Sequence, residues 1–396
     1  GIGRLVDRVY SGSVQLNGDA IIEFVRHLVA VSLEELAQPP TSDITNKGLD
    51  HRMYSLQKIV EIAYYNMNRI RMEWSRIWVV LGDHFNRVGC NPNTQIAIFA
   101  IDSLRQLAMK FLERGELSNF HFQKDFLKPF EYIMNHSKRP EIRDMIIQCI
   151  TQMVASQAMN IHSGWKNIFF VFSLAAGDAS PGIVTDSYET VSMLFNRYAP
   201  QFHDIAFVDG VNCVVEFACN RHFPGLAMEA MELMRKCAAM IAQDTDNYMA
   251  ENAPKEGEPA VYISDQIWVQ GWFPILFGLH RIMTRCSLDV RTRALTVLIE
   301  IVKQNGHTFH KAHWTDLFRI IFRIFDDQKI PEQTVEREEW MSTTCNHALF
   351  AIIEMFGTHR TVLLDVAFED LLDRIHWCLN QGNEQLGRSA TQSLQV

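Results

Sequence analysis

Glycine and proline are scarce in this chain, 20 and 12 of 396 residues. Paired turn residues are equally rare, and strand-like alternation is confined to Val261-Tyr262-Ile263 at most. These absences argue against a sandwich, barrel or propeller. No apolar run approaches the ~20 residues of a membrane-spanning helix; the greasiest stretch, Ile168 to Ala176, is short and contains Ser173. The start, Gly1-Ile2-Gly3-Arg4, carries no signal-peptide core and no Met, and reads as a cut from a longer chain. The eight cysteines (Cys90, Cys149, Cys213, Cys219, Cys237, Cys286, Cys345 and Cys378) form no Cys-x-x-Cys pair. Most fall in apolar helical stripes, where a free thiol behaves as a small hydrophobe. A reducing compartment is expected, which makes the glycosylation triplet Asn135-His136-Ser137 a chance match.

Motifs of catalysis are missing too. There is no G-x-x-x-x-G-K-S/T, G-x-G-x-x-G, H-E-x-x-H or G-x-S-x-G. The cluster His307, His310 and His313 lacks a cysteine or carboxylate at ligand spacing and reads as an interhelical turn rather than a zinc site. Asp83-His84 lies inside a patterned helix and reads as a surface or capping pair. No catalytic residue, cofactor or metal ligand is therefore assigned. The net charge of −9 is uneven: six acids and one lysine fall in 243–265, and ten acids and four arginines in 331–396. The remainder is slightly basic, which is no nucleic-acid footprint, so no nucleic-acid partner is expected.

What the chain has in abundance is helical periodicity. Val290, Ala294, Leu295, Val297, Leu298, Ile301 and Val302 form one wide apolar stripe, as do Ala97, Ala100, Ile101, Leu104, Leu107, Ala108 and Phe111. Aromatic-rich first helices (Trp74 to Val88, Phe122 to Met134, Gly164 to Ala175, Ile205 to Cys219, Gly271 to Met283, Trp314 to Phe325) alternate with Met/Ala/Leu-rich second helices. The second helices are Thr94 to Leu112, Glu141 to Ala155, Ile183 to Arg197, Leu226 to Ile241, Leu288 to Lys303 and Cys345 to Phe356. Phe126, Trp165 and Phe207, and again Trp272 and Trp314, recur at about 40 residues. One pair cannot bury its apolar face, but stacked pairs can. The expected fold is all-α, a right-handed α-solenoid of HEAT/armadillo-like helix pairs. Expected divisions are 1–116, 117–242, an acidic linker or insertion at 243–265, and 266–396, read as one continuous solenoid. The Trp residues at repeat spacing are expected in equivalent core slots.

One region looks suited to a partner. Arg69, Arg71 and Arg76 interleave with Trp74 and Trp78, and Arg105 and Lys110 follow on the next helix. Together they read as a basic, aromatic-edged patch for an acidic partner or an anionic membrane. Ile21 to Leu36 is strongly amphipathic and is expected either to pack as a capping helix or to lie on lipid, although Glu23, Glu34 and Glu35 weaken the lipid case.

Gly82-Asp83-His84-Phe85-Asn86-Arg87-Val88-Gly89-Cys90-Asn91-Pro92-Asn93 resembles the first homology-downstream region of the large Golgi Arf guanine-nucleotide exchange factors, brefeldin-A-inhibited class. Tyr54 to Ile62, Trp74 to Trp78, Asp102 to Leu107, Phe122 to Phe130 and Ser163 to Phe169 extend the resemblance. Gly271 to Phe277, Leu288 to Arg293 and Thr343 to Leu349 are similar to the third such region. Pro39 to Leu49 looks longer than the family norm. In that family a separate upstream helical domain performs exchange, and nothing here resembles it. The resemblance implies a non-catalytic regulatory region that controls autoinhibition and recruitment to trans-Golgi membranes by binding a GTP-loaded Arf-family small GTPase. The implied partners are that GTPase, the upstream exchange domain and an anionic Golgi membrane, with a homodimer as a further possibility. The expected place is the cytoplasmic face of Golgi and trans-Golgi network membranes.

Overall fold

A computed structural model describes residues 1–39 and 51–396. The polar stretch 40–50, which holds most of the Pro39 to Leu49 segment, lies outside the described residues. The chain divides into two compact units, Gly1–Asp209 and Gly210–Val396. Among the described residues every regular element is helical, and the isolated bridge Leu117–Phe120 is no strand.

The first unit holds α1 (Ile2–Ser11), α2 (Gly18–Ala37), α3 (Tyr54–Asn66), α4 (Arg71–Gly89), α5 (Thr94–Leu112), α6 (Gln123–Phe126), α7 (Lys128–His136), α8 (Pro140–Gln157), α9 (Trp165–Ala176) and α10 (Pro181–Arg197). Helix starts follow local chemistry. Asn17 caps α2 by accepting from the Ala20 amide, and Asn93 caps α5 by accepting from the Gln95 and Ile96 amides. Pro140 and Pro181 open α8 and α10, where the missing amide is no loss. The expected helix Phe122 to Met134 is broken at Leu127 into α6 and α7, because Pro129 belongs in a first turn.

Helices α2 and α3, α4 and α5, α7 and α8, and α9 and α10 pack as successive pairs. α2, α4, α7 and α9 touch in sequence as one row; α3, α5, α8 and α10 form the other. Aromatic rings fill the seam. Phe126 stacks on Trp78 at 4.1 Å and on Phe111 at 4.4 Å.

α11 (Ala199–Ala218) is kinked at Ala206, where the backbone leaves the helical region. The second unit continues with α12 (Leu226–Glu251), α13 (Asp265–Ile267), α14 (Phe273–Arg285), α15 (Leu288–Asn305), α16 (Lys311–Ile321), α17 (Thr334–Glu339), α18 (Asn346–Thr358), α19 (Arg360–Leu379) and α20 (Glu384–Ser393). Two rows recur within it. α14, α16 and α19 meet in turn, and so do α12, α15, α18 and α20.

Three details differ from the sequence-based expectation. α12 runs ten residues beyond Ile241, so the acidic segment is helical as far as Glu251. Val261-Tyr262-Ile263 is not a strand; the Ile263 amide donates to the Thr308 carbonyl at 3.0 Å. The helices α14 and α18 are each entered through a wider π-turn, Trp268–Trp272 and Trp340–Cys345. In each turn tryptophan indoles find partners. Trp268 donates to Asp316, Trp272 to Thr245 and Trp340 to the Ile324 carbonyl.

Candidate interaction surface

Burial separates the six patch candidates. Trp74 is fully buried, against Trp78 and Phe126, and offers nothing to a partner. Its neighbours in sequence are polar, but helical period turns position 74 inward. Arg69 is a structural clamp: it donates to the Ser13, Val14 and Leu16 carbonyls and to Asn66, and pairs with Glu73 at 3.0 Å. It fastens the turn at 13–16 onto the loop between α3 and α4. The Arg71 guanidinium lies over the Phe111 ring, 5.2 Å from its centre, and burial lowers its pKa.

The other three are paired at the surface. Arg76 meets Asp19 at 2.9 Å, Arg105 meets Asp102 at 2.8 Å and Lys110 meets Glu113 at 2.9 Å. Arg76 lies on α4, towards α2, in the first row. Arg105 and Lys110 lie on α5, in the second row. The structure therefore does not gather the six residues into one basic patch. Part of this is readable in the sequence, since Asp102, Glu113 and Glu73 stand three or four positions from Arg105, Lys110 and Arg69.

What the first row presents instead is a mixed groove of about 370 Å³ between α4 and the α6–α7 turn. Its walls include Arg76, Trp78, Val79, Asp125 and Lys128, with Gly82 on the floor. Val79 is 74% exposed although it is β-branched and apolar. The Trp78 indole donates to the Asp125 carbonyl at 3.2 Å and holds the α6 end against α4. One turn on, Asp83 faces solvent and pairs with Arg87. His84 is not a surface residue. It points inward to the Ser32 hydroxyl at 3.1 Å, and burial lowers its pKa to about 4. A charged imidazolium would be penalised there, so Asp83 and His84 do not act as an acid–base couple.

Two further candidates resolve into structure. His310 caps α16 by accepting from the Ala312 amide, while His313 Nδ1 accepts from the His310 amide and its Nε2 faces Asp265 at 3.0 Å. That is a helix cap. Among the described residues no group of three His, Cys, Asp or Glu side chains could hold a metal ion. Trp165, Trp272 and Trp314 are all buried in the helix seams. The amphipathic helix α2 turns Ile21, Ile22, Val25 and Leu28 inward onto α3 and α4. The exposed apolar stripe belongs to α1, where Ile2, Leu5 and Val9 face outward. No helix among the described residues is long and apolar enough to cross a membrane.

Residues 110–193 match the family described as Mon2/Sec7/BIG1-like, HDS. The chain is 54% identical over 394 residues to brefeldin A-inhibited guanine nucleotide-exchange protein 1 of both Mus musculus and Homo sapiens. The chain is a relative of the brefeldin A-inhibited guanine nucleotide-exchange proteins. It resembles the part of them downstream of the Sec7 domain. The match takes in 98% of this chain and 21% of each of those relatives. An Arabidopsis thaliana protein, brefeldin A-inhibited guanine nucleotide-exchange protein 3, is 38% identical over 378 residues, 89% of this chain and 21% of its own length. The chain thus spans about a fifth of these relatives.

Proposed function

We propose that this chain is a non-catalytic regulatory region of a large Arf guanine-nucleotide exchange factor. In this reading it binds a GTP-loaded Arf-family small GTPase, and that binding relieves autoinhibition of an upstream exchange domain and recruits it to trans-Golgi membranes. The observation that carries the reading is the 54% identity, over nearly the whole chain, to an exchange protein. The two helical rows in each unit support an α-solenoid of HEAT/armadillo-like pairs, a form in which small rotations between pairs add up. Regulation of this kind needs no reactive residue. It needs a ligand with different affinities for two arrangements of the protein.

The GTPase surface we favour is the α4 groove, with Arg76 and Val79 at its rim. The test is retention of GTP- and GDP-loaded Arf-family GTPase by the chain on liposomes. The expected result is retention of the GTP form, weakened by Arg76→Glu and Val79→Asp, with no nucleotide exchange by the chain alone. Equal retention of both forms overturns the reading.

A second reading rests on α1. It is held to α3 by Lys58, which meets Asp7, and leaves Ile2, Leu5 and Val9 outward beside Arg4 and Arg8. That arrangement suits an anionic lipid surface. Flotation with phosphatidylserine vesicles and no GTPase, lost on Leu5→Asp, is the expected outcome.

A further inference from the structure

Two of the eight free cysteines, Cys219 and Cys286, lie 67 residues apart in sequence and 3.8 Å apart Sγ to Sγ. Cys219 follows the last residue of α11, and Cys286 caps the end of α14. Both are half-buried, so a small reagent can reach them. The Cys286 thiol donates to Cys219 Sγ and also lies 3.5 Å from the Ala218 carbonyl. The two helix ends are held together independently of the thiols. Glu216 on α11 accepts from Arg281 at 2.6 Å and from Arg285 at 3.1 Å, both on α14.

We propose that Cys219 and Cys286 are a reversible dithiol–disulfide site oxidised by a peroxide, with Cys219 as the attacking thiol and Cys286 as the resolving one. The surroundings assign the roles. The Cys286 hydrogen bond lowers the Cys219 pKa against the opposing effect of burial, helped by the nearby Arg285 and Arg281. The same bond and burial raise that of Cys286. Elsewhere burial chiefly pushes Cys149 and Cys378 up to about 12, which keeps them inert.

In the first step the Cys219 thiolate attacks one peroxide oxygen. An S–O bond forms, the O–O bond breaks, and hydroxide leaves and takes up a proton as water. In the second step Cys286, deprotonated, attacks the sulfenic sulfur. The S–S bond forms, the S–O bond breaks, and a second water leaves. Two thiols lose two electrons in all and hydrogen peroxide becomes two waters. Closing to a disulfide length of about 2.05 Å needs under about 2 Å of sulfur travel, within reach of side-chain rotation. A thiol pair of this kind in a reducing compartment is a transient sensor rather than a permanent staple.

The test is peptide mapping of the intact chain after equimolar hydrogen peroxide, without reductant. The expected result is a linked peptide pair carrying Cys219 and Cys286, short of two hydrogens and reversed by dithiothreitol. Cys286→Ser should leave a dimedone-reactive sulfenic acid at Cys219, whereas Cys219→Ser should leave Cys286 unoxidised. A trivalent arsenical should bridge the native pair and be lost from either variant. The oxidised chain should melt a few degrees higher than the reduced one. If half-exposed Cys90 oxidises while Cys219 and Cys286 both remain alkylatable, or if the arsenical binds the variants equally, the proposal is overturned.

Discussion

Each unit buries an arginine in the first turn of a second-row helix, and the two are balanced in different ways. Arg143 on α8 meets Asp178 at 2.7 Å and donates to the Met134, Ser137 and Leu174 carbonyls. Arg291 on α15 lies over the Trp340 ring at 4.7 Å. Its polar contact is a long one to the Thr344 hydroxyl at 3.5 Å, and its Nε is unpartnered. Both residues are 8% exposed. One guanidinium closes a loop by charge and carbonyls; the other serves as a flat apolar filler against a ring. Equal burial therefore does not mean equal function, and the partners decide what each arginine is worth.

The largest effect expected from this contrast is on Arg143. Arg143→Met should cost about 3–5 kcal/mol, because it breaks the buried ion pair with Asp178 and takes the donor from three carbonyls. Arg291→Met should cost under about 1.5 kcal/mol, since a methionine keeps the packing and removes a buried charge. Denaturant unfolding of the two variants measures this, and equal costs would break the contrast.

A second contrast lies in the buried histidines, one from each unit. Burial, with Arg87 near one and Arg323 near the other, lowers His84 and His280 to about 4 from the ordinary 6.5. A depressed base favours the folded state above pH 6.5, and that contribution is lost as pH falls from 6.5 towards 4. Each should remove about 2 kcal/mol between pH 6.5 and 5. His280 Nε2 has no partner, so His280→Leu should flatten the acid slope at little cost at pH 7. His84→Leu should flatten it too, but at a measurable neutral cost, because Ser32 loses its hydrogen bond.

The tryptophans should follow the same logic with smaller effects. Trp272→Phe removes a bond to Thr245, whereas Trp165→Phe removes an indole nitrogen that is buried without a partner. The first change should cost about 1 kcal/mol more than the second by thermal unfolding. Smallest of all, Arg76→Glu breaks an exposed ion pair with Asp19 and should move stability by less than about 0.5 kcal/mol. A large loss there would mean that Arg76 is structural like Arg69, and any loss of GTPase retention could not then be assigned to contact.

The legible part of the molecule was what local period controls. The helix expected at Thr94 to Leu112 has those bounds in the structure, because Asn93 caps it and its apolar stripe is unbroken. Acidic composition does not mark the end of α12, because Asp244, Asp246 and Glu251 are compatible with a solvated helix face as well as with a linker. For a related reason the candidate patch does not come together. Neighbouring cations on α4 and α5 belong to different rows, and several are already engaged by acids one turn away.

Sequence alone determined that the fold is all-α, that the repeat-spaced Trp165, Trp272 and Trp314 are interior, and which family the chain resembles, because each rests on residue type and short-range spacing. Only the tertiary structure decided which polar groups meet. Arg143 finds Asp178 across 35 residues, Arg69 finds Leu16 across 53, and Cys286 finds Cys219 across 67. Those distances close only when helix pairs stack in rows, and no periodicity within one helix records its neighbour's register.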